Sequence, residues 1–185
     1  YEIRSLTIND IDNDGDLELA FADEFDIYIC DPFTLKIEYK LAEFDKNFLV
    51  GDVDGDGLNE IILSKGELSE LTTSSYRLEW LFYDEPGGFD FMTLADMDGD
   101  SLAEIVGVHQ HETHAYDADL RSRKWYHELD VYDRRISHLS HHDVDNDGVE
   151  EILYAGTISE PRTSGVLFAL NPQDLSLHWT FSPPH

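Results

Sequence analysis

A single cysteine, Cys30, rules out an intrachain disulfide, so bridges say nothing about compartment. No apolar run approaches the roughly 18 residues of a membrane-spanning helix, and no membrane insertion is expected. Cations are scarce: 12 Lys and Arg face 40 Asp and Glu, a formal charge of −28. Nucleic acid is excluded as a partner, because its phosphates must be neutralised by Lys and Arg. An anionic membrane surface is disfavoured for the same reason. No Asn-x-Ser/Thr sequon occurs, and helical periodicity is missing. Gly-x-Ser-x-Gly, His-Glu-x-x-His and Gly-x-Gly-x-x-Gly are all absent, so no catalytic residue is singled out and an enzyme is not expected. The chain opens on Tyr1 rather than Met, which fits a processed form or a fragment of something longer.

What is present is a repeat. With 41% hydrophobic and 12% aromatic residues, the 185-residue chain can pack a core despite its charge. An acidic hexamer occurs four times, as Asp10-Ile-Asp-Asn-Asp-Gly15, Asp52-Val-Asp-Gly-Asp-Gly57, Asp96-Met-Asp-Gly-Asp-Ser101 and Asp143-Val-Asp-Asn-Asp-Gly148. The first aspartates are 42, 44 and 47 residues apart. An acid stands at the ninth position each time, at Glu18, Glu60, Glu104 and Glu151, and an apolar stretch follows. A second landmark keeps phase: an aromatic falls 28 or 29 residues after the first Asp at Tyr39, Trp80 and Trp125. In the fourth unit it is Trp179, 36 residues on, which places an insertion around "TISEPRTSG". The units run approximately over 1–45, 46–89, 90–136 and 137–185.

Each unit reads as short strands. In the first, "RSLTI" enters the acidic loop, "LELAFA" leaves it, and "DIYIC" and "LKIEYKL" follow around the turn "DPFT". The fourth repeats the pattern with "GVLFAL", "NPQD" and "LSLHWTF". About four strands in roughly 45 residues is the size of a propeller blade. The second unit fits worst, because "KGELSELTTSSY" is polar where a middle strand belongs, and a short or irregular strand is expected there. Gly87-Gly88 after Pro86 reads as a turn.

Asp-x-Asp-x-Asp-Gly-x-x-(Asp/Glu) followed by a hydrophobic strand resembles the calcium loops of FG-GAP and VCBS-type repeats, which build integrin-α-like β-propellers. The resemblance spans all four units, although the "FG" and "GAP" tripeptides are not evident. It implies an all-β fold, one four-stranded blade per unit and one calcium loop per blade. The implied ligands are Asp10, Asp12, Asp14 and Glu18; Asp52, Asp54, Asp56 and Glu60; Asp96, Asp98, Asp100 and Glu104; and Asp143, Asp145, Asp147 and Glu151. Seventh-position carbonyls would join from Asp16, Leu58, Leu102 and Val149. The third loop departs from the pattern, with Ser101 in place of glycine. If that position needs positive φ, serine is strained there, so this site is expected to be the weakest.

The residues themselves suit calcium. Ca²⁺ takes about six to eight hard oxygens in flexible geometry, whereas Mg²⁺ keeps its waters in a strict octahedron. An EF-hand is excluded, since its twelfth-position Glu is replaced by Phe21, Leu63, Gly107 and Tyr154. Asp and Gly are also ordinary turn residues, but four copies with a ninth-position acid favour the metal.

Three other features carry less. His109, His111 and His114 could hold zinc or copper, yet they replace Asp23, Phe25 and Tyr28 around a strand turn of the first unit. "LRSRKW" and "DRR" read as partners for nearby acids, and Cys30 as a buried, inert strand residue.

The expectation is a single β-propeller domain of four blades, either a closed ring or half of a seven- or eight-bladed propeller. It is expected to be a non-enzymatic, calcium-stabilised module with a structural, adhesive or assembly role, outside the cell or on its surface. Its partners would be protein, glycan or copies of itself. The alternative is the propeller portion of a secreted polysaccharide-binding or lyase-like protein.

Overall fold

The computed structural model describes residues 2–42, 47–83, 88–129, 134–158 and 164–183. Sixteen strands account for its regular structure, with no helix among the described residues. The first sheet holds β1 (Ser5–Asn9), β2 (Glu18–Ala22), β3 (Asp26–Cys30) and β4 (Ile37–Ala42). The second holds β5 (Phe48–Gly51), β6 (Glu60–Leu63), β7 (Glu67–Thr72) and β8 (Ser75–Leu81). The third holds β9 (Phe91–Ala95), β10 (Glu104–His109), β11 (Glu112–Asp117) and β12 (Ser122–Glu128). The fourth holds β13 (Arg134–His142), β14 (Glu151–Ile158), β15 (Ser164–Leu170) and β16 (Leu177–Phe181). Each sheet is an antiparallel meander in sequence order, and the four are the blades of a β-propeller fold. The chain divides into two compact units of two blades each, Tyr1–Asp90 and Phe91–His185.

Within each unit two blades share a core. Ile27, Ile29, Phe48, Ile61 and Leu71 fill the first. Val106, Val108, Ile152, Tyr154 and Phe168 fill the second. Tyr154 stacks on Phe168 at 4.6 Å and donates its hydroxyl to Thr113 Oγ1 at 2.9 Å, so its polar end is satisfied inside the core. Burial falls across a blade: every residue of β6 is buried, and every residue of β16 is exposed. Burial concentrates on the second and third strands, and each acidic loop runs directly into the buried second strand.

The third-to-fourth-strand turns follow the sequence. Asp31 accepts hydrogen bonds from Phe33 N (2.9 Å) and Thr34 N (2.6 Å), and the reversal finishes at Leu35, with φ 56°. "NPQD" does the same, with Asn171 accepting from Gln173 N and Leu175 at φ 60°. Most of the "TISEPRTSG" insertion, residues 159–163, and the Pro86-Gly87 part of the suggested turn lie outside the described residues.

The second blade corrects an expectation. The polar run "KGELSELTTSSY" forms a six-residue strand, β7, paired with β6 over Glu67–Glu70 and with β8 over its whole length around the one-residue bulge that every blade shares. Leu68 and Leu71 are buried, each contributing about 1.5–3 kcal/mol. Glu70 pairs with Arg77 at 2.8 Å, and the buried Ser69 hydroxyl goes without a partner. Two leucines and one ion pair outweigh one orphaned hydroxyl, at about 1–3 kcal/mol.

The turn between β6 and β7 is sterically closed. Gly66 has φ +91°, and a Cβ built on it would stand 2.1 Å from Tyr83 O. Gly66→Ala should destabilise the protein by about 3 kcal/mol or more, combining a left-handed backbone with a backbone clash. The midpoint of urea unfolding checks this, and an unchanged midpoint would contradict the turn geometry.

Candidate metal centre

The four acidic loops join the first and second strands of each blade and share one hydrogen-bond plan. The first aspartate folds the loop over itself. Asp10 accepts from Asp14 N and Gly15 N at 3.0 and 3.1 Å, and Asp52 from Gly55 N and Gly57 N at 2.8 and 3.1 Å. Asp96 accepts from Gly99 N and Ser101 N at 2.7 and 3.0 Å, and Asp143 from Asp147 N and Gly148 N at 3.1 and 3.0 Å. The third aspartate of each loop (Asp14, Asp56, Asp100 or Asp147) accepts the N–H of the seventh residue (Asp16, Leu58, Leu102 or Val149) at 2.8–2.9 Å.

Two backbone positions in each loop are left-handed. The sixth is expected: Gly15, Gly57 and Gly148 have φ of 95°, 88° and 94°, and Ser101 has 76°. A Cβ on the three glycines would meet nothing within 4 Å, so the cost at Ser101 is backbone strain without a clash, about 1–2 kcal/mol. The fourth position was missed in the sequence. Asn13, Gly55, Gly99 and Asn146 have φ of 60°, 76°, 79° and 63°. Asn and Gly are the types that tolerate this region, and their restriction to it was the available signal.

The ninth-position glutamates are buried: Glu18 is 4% exposed, Glu60 1%, Glu104 3% and Glu151 0%. One oxygen of each is spent on the N–H of the second loop residue. Ile11, Val53, Met97 and Val144 donate to Oε2 at 2.8–3.0 Å. The second residue's apolar side chain anchors the loop below, with Ile11, Val53 and Met97 buried. The other glutamate oxygen is left for the loop. Burial pushes the carboxyls of Glu18 and Glu60 up, Glu60 to about 8. Asp12 is raised too, first by burial and then by the charge of Asp14.

These atoms converge. Asp10, Asp12 and Glu18 each offer an oxygen, all within 4.8 Å of one another, as do Asp52, Asp54 and Glu60, and Asp96, Asp98 and Glu104. In the fourth loop the triplets are Asp143, Asp145 and Asp147, and Asp145, Glu151 and His178. Asp14, Asp56 and Asp100 stand outside the triplets. Tyr39 OH donates to Asp12 Oδ2 at 3.2 Å, while Asp12 Oδ1 is buried without a partner, and so is Glu151 Oε1. An unsatisfied buried carboxylate oxygen is costly, and a cation removes the cost. The residues present therefore fit Ca²⁺.

The third loop already holds a cation of its own. Lys124 Nζ donates to Glu104 Oε1 at 2.6 Å and to Asp98 Oδ2. Burial pulls the ammonium's pKa down, but these two acceptors outweigh it and hold it above the ordinary lysine value. Asp98 is held below its usual range by the same contact. Glu104 stays raised, because burial exceeds the relief that Lys124 gives.

A recurring β-bulge aims Lys124. The third- and fourth-strand pairings shift register by one residue, leaving the residue before the landmark aromatic unpaired. That residue is Glu38, Glu79, Lys124 or His178. Glu38 lines a cavity with Asp14, Asp16 and Glu18, and His178 Nε2 lies 4.0 Å from Asp145 Oδ2. Lys124 belongs to the "LRSRKW" run read in the sequence as partnering nearby acids, and it does so with Asp98 and Glu104; the other three positions were passed over.

The eighth position was also missed. Asn59 Nδ2 donates to Asp10 O and its backbone N–H donates to Asn13 Oδ1, while Asn13 Nδ2 donates to Leu71 O. Glu150 accepts from Asp96 N at 3.0 Å and contacts His141 at 2.8 Å. Each ties one loop to its neighbour in the same compact unit.

Among the described residues, no metal-spaced triplet includes His109, His111 or His114. Cys30 is buried, its Sγ 3.4 Å from Leu19 O, and burial pushes its thiol up. Of "DRR", Asp133 and the Arg134 side chain lie outside the described residues.

Replacing Lys124 with methionine should free the third loop. Equilibrium dialysis should then count one more calcium per chain in the Lys124→Met variant than in the parent. No gain would show that the ammonium is not what occupies the site.

No protein-family model matches the sequence, and no curated protein matches it. Solved structures do. BBS1N, crystallised in complex with ARL6DN, superposes with a TM-score of 0.61 at 16% identity in its lead-soaked crystal, covering 99% of this chain and 55% of BBS1N. The mercury-soaked crystal gives 0.60 at 15%, with 99% and 54% covered. The V. cholerae biofilm matrix protein Bap1 gives 0.56 at 14% identity, covering 98% of this chain and 39% of Bap1. The chain thus spans about half the length of BBS1N and about two fifths of Bap1. Both neighbours are β-propeller-type structures, and at these identities the likeness establishes the fold they share with this chain.

Proposed function

We propose that the chain is a non-enzymatic, calcium-stabilised β-propeller module of the FG-GAP/VCBS type, with a structural or adhesive role outside the cell. The observation that carries this reading is the contrast among the loops. The third satisfies its buried Glu104 and its Asp98 with Lys124, whereas the first leaves Asp12 Oδ1 buried without a partner. Oxygen-only loops of this exposure suit the millimolar calcium found outside cells. The propeller would then present a calcium-rigidified surface to a protein partner. BBS1N was solved bound to a protein and Bap1 belongs to a biofilm matrix, which supports a partner-binding or assembly role.

A second reading, a polysaccharide-binding propeller, is favoured by one feature. A cavity of about 280 Å³ in the first unit is lined by Lys40, Lys65, Tyr76 and Glu67. Both lysines are already paired, Lys40 with Asp26 and Lys65 with Glu67, each at 2.9 Å, which lowers their value to an anionic sugar.

Limited proteolysis tests the first reading. The loops should resist cleavage in about 2 mM calcium and be cut quickly in excess chelator. Equal cleavage rates would remove the calcium role. Co-sedimentation with acidic polysaccharide, abolished by Lys65→Glu, would replace the first reading with the second.

A further inference from the structure

The fourth loop differs from the others in the chemistry of its donors. Asp143 spends both oxygens on Asp147 N and Gly148 N. Asp145 Oδ1 accepts from Asp147 N at 3.1 Å, and its Oδ2 faces His178 Nε2 at 4.0 Å, beyond hydrogen-bond reach. Glu151 is 0% exposed; its Oε2 is held by Val144 N, and its Oε1 is buried with no partner. One atom each from Asp145, Glu151 and His178 lies within 4.8 Å of the others. His178 arrives by the same bulge that carries Lys124 into the third loop, so the reach of this position to its loop is seen directly in the neighbouring blade.

We infer that the fourth loop is a mixed nitrogen–oxygen site for a borderline divalent transition metal of the zinc class, held by Asp145 and Glu151 through oxygen and by His178 through Nε2. An imidazole is a poor donor for a hard ion such as Ca²⁺ and a good one for Zn²⁺. Two carboxylates and one histidine make a three-ligand set that leaves a fourth, tetrahedral position open to water or an outside ligand. Donors 2.0–2.2 Å from a tetrahedral ion stand about 3.3–3.6 Å apart, so the triplet must close by roughly an ångström. His178 and Asp145 are about one-third exposed and free to make that movement, while the buried Glu151 stays fixed by its backbone contact. The bulge position thus varies the loop chemistry in three blades: Glu38 adds an oxygen beside the first loop, Lys124 fills the third and His178 recruits a softer metal to the fourth. This goes beyond the calcium reading and does not depend on it.

The test is calorimetric titration of zinc chloride into the folded protein held in about 2 mM calcium, which keeps the all-oxygen loops in their hard-ion state. The parent should bind one zinc whose affinity falls at least about tenfold in His178→Ala, as loss of a ligand costs no less than loss of an outer-shell partner. His138→Ala, an exposed histidine elsewhere on the fourth blade, should leave it unchanged. His178→Glu should lose the zinc and add one calcium equivalent by dialysis. His178 is on the exposed outer strand, so these variants should melt with the parent in chelator. The inference is overturned if the parent binds no zinc under these conditions, or if zinc binding survives in His178→Ala. Either failure leaves the calcium count of the first and second loops as it was, so it is distinguishable from failure of the calcium reading.

Discussion

Everything in this chain turns on carboxylates that the backbone forces together. Three alternate aspartates and a buried glutamate meet in a nine-residue span, and close pairs of such charges repel by about 1 kcal/mol in water and about 4 kcal/mol near a protein surface. The loop cannot relieve this by opening outward, because its first aspartate is tied to two backbone N–H groups and its glutamate to a third. Nor can hydrogen bonding finish the task, since Asp12 Oδ1 and Glu151 Oε1 end buried and unpartnered. Two physical answers remain, a proton held on a raised carboxyl such as Glu60 or a counter-cation. The third blade shows the second, supplied from within by Lys124.

The fold and the loop are one device. The glutamate that closes the loop is the first residue of the blade's second strand, and that strand is the most buried of the blade. The apolar second residue of the loop anchors it in the core beneath. On the outer strand, a one-residue bulge turns a side chain that would otherwise face along the sheet back toward the loop. Chemistry is therefore varied at one position of the outer strand, outside the shared cores. Four blades with one architecture carry glutamate, glutamate, lysine and histidine there.

Much of this was legible as spacing. The strands, the four loops and the ninth-position acid stand at near-constant separation, and that regularity is a direct trace of the blade. The strain at Ser101 was legible too, since its neighbours at that position are all glycine. Less visible was what spacing does not encode. Lys124 stands in a basic run legible as a partner for acids, but which acids was not, and His178 is unmarked; they sit 26 and 33 residues from the loop residues they approach, Asp98 and Asp145. Asn59 and Glu150 looked like filler inside a motif because their partners lie in the preceding blade. The strand β7 was misjudged because polarity was weighed without its ion pair: Glu70 is tolerable there once Arg77 stands opposite. The identity of a partner was not readable at all, because the repeated residues build the scaffold and leave the partner-facing surface to positions that follow no pattern.

The most direct measurement is the unfolding temperature between pH 5 and pH 8, once in excess chelator and once in excess calcium. The folded pKa of Glu60 is about 8, above its unfolded value of about 4.5, so the metal-free fold holds a proton that the unfolded chain has lost. That stability is fully present below the unfolded pKa and disappears as pH rises toward 8. Glu18 and Asp12, raised in the same direction, add to the loss. Calcium needs these same groups deprotonated, so its stabilisation grows as pH rises. The account predicts a melting temperature that falls with pH in chelator and rises with pH in calcium, the two curves separating through this window. Parallel curves would contradict it, and would leave the loops as acidic turns that need no ion.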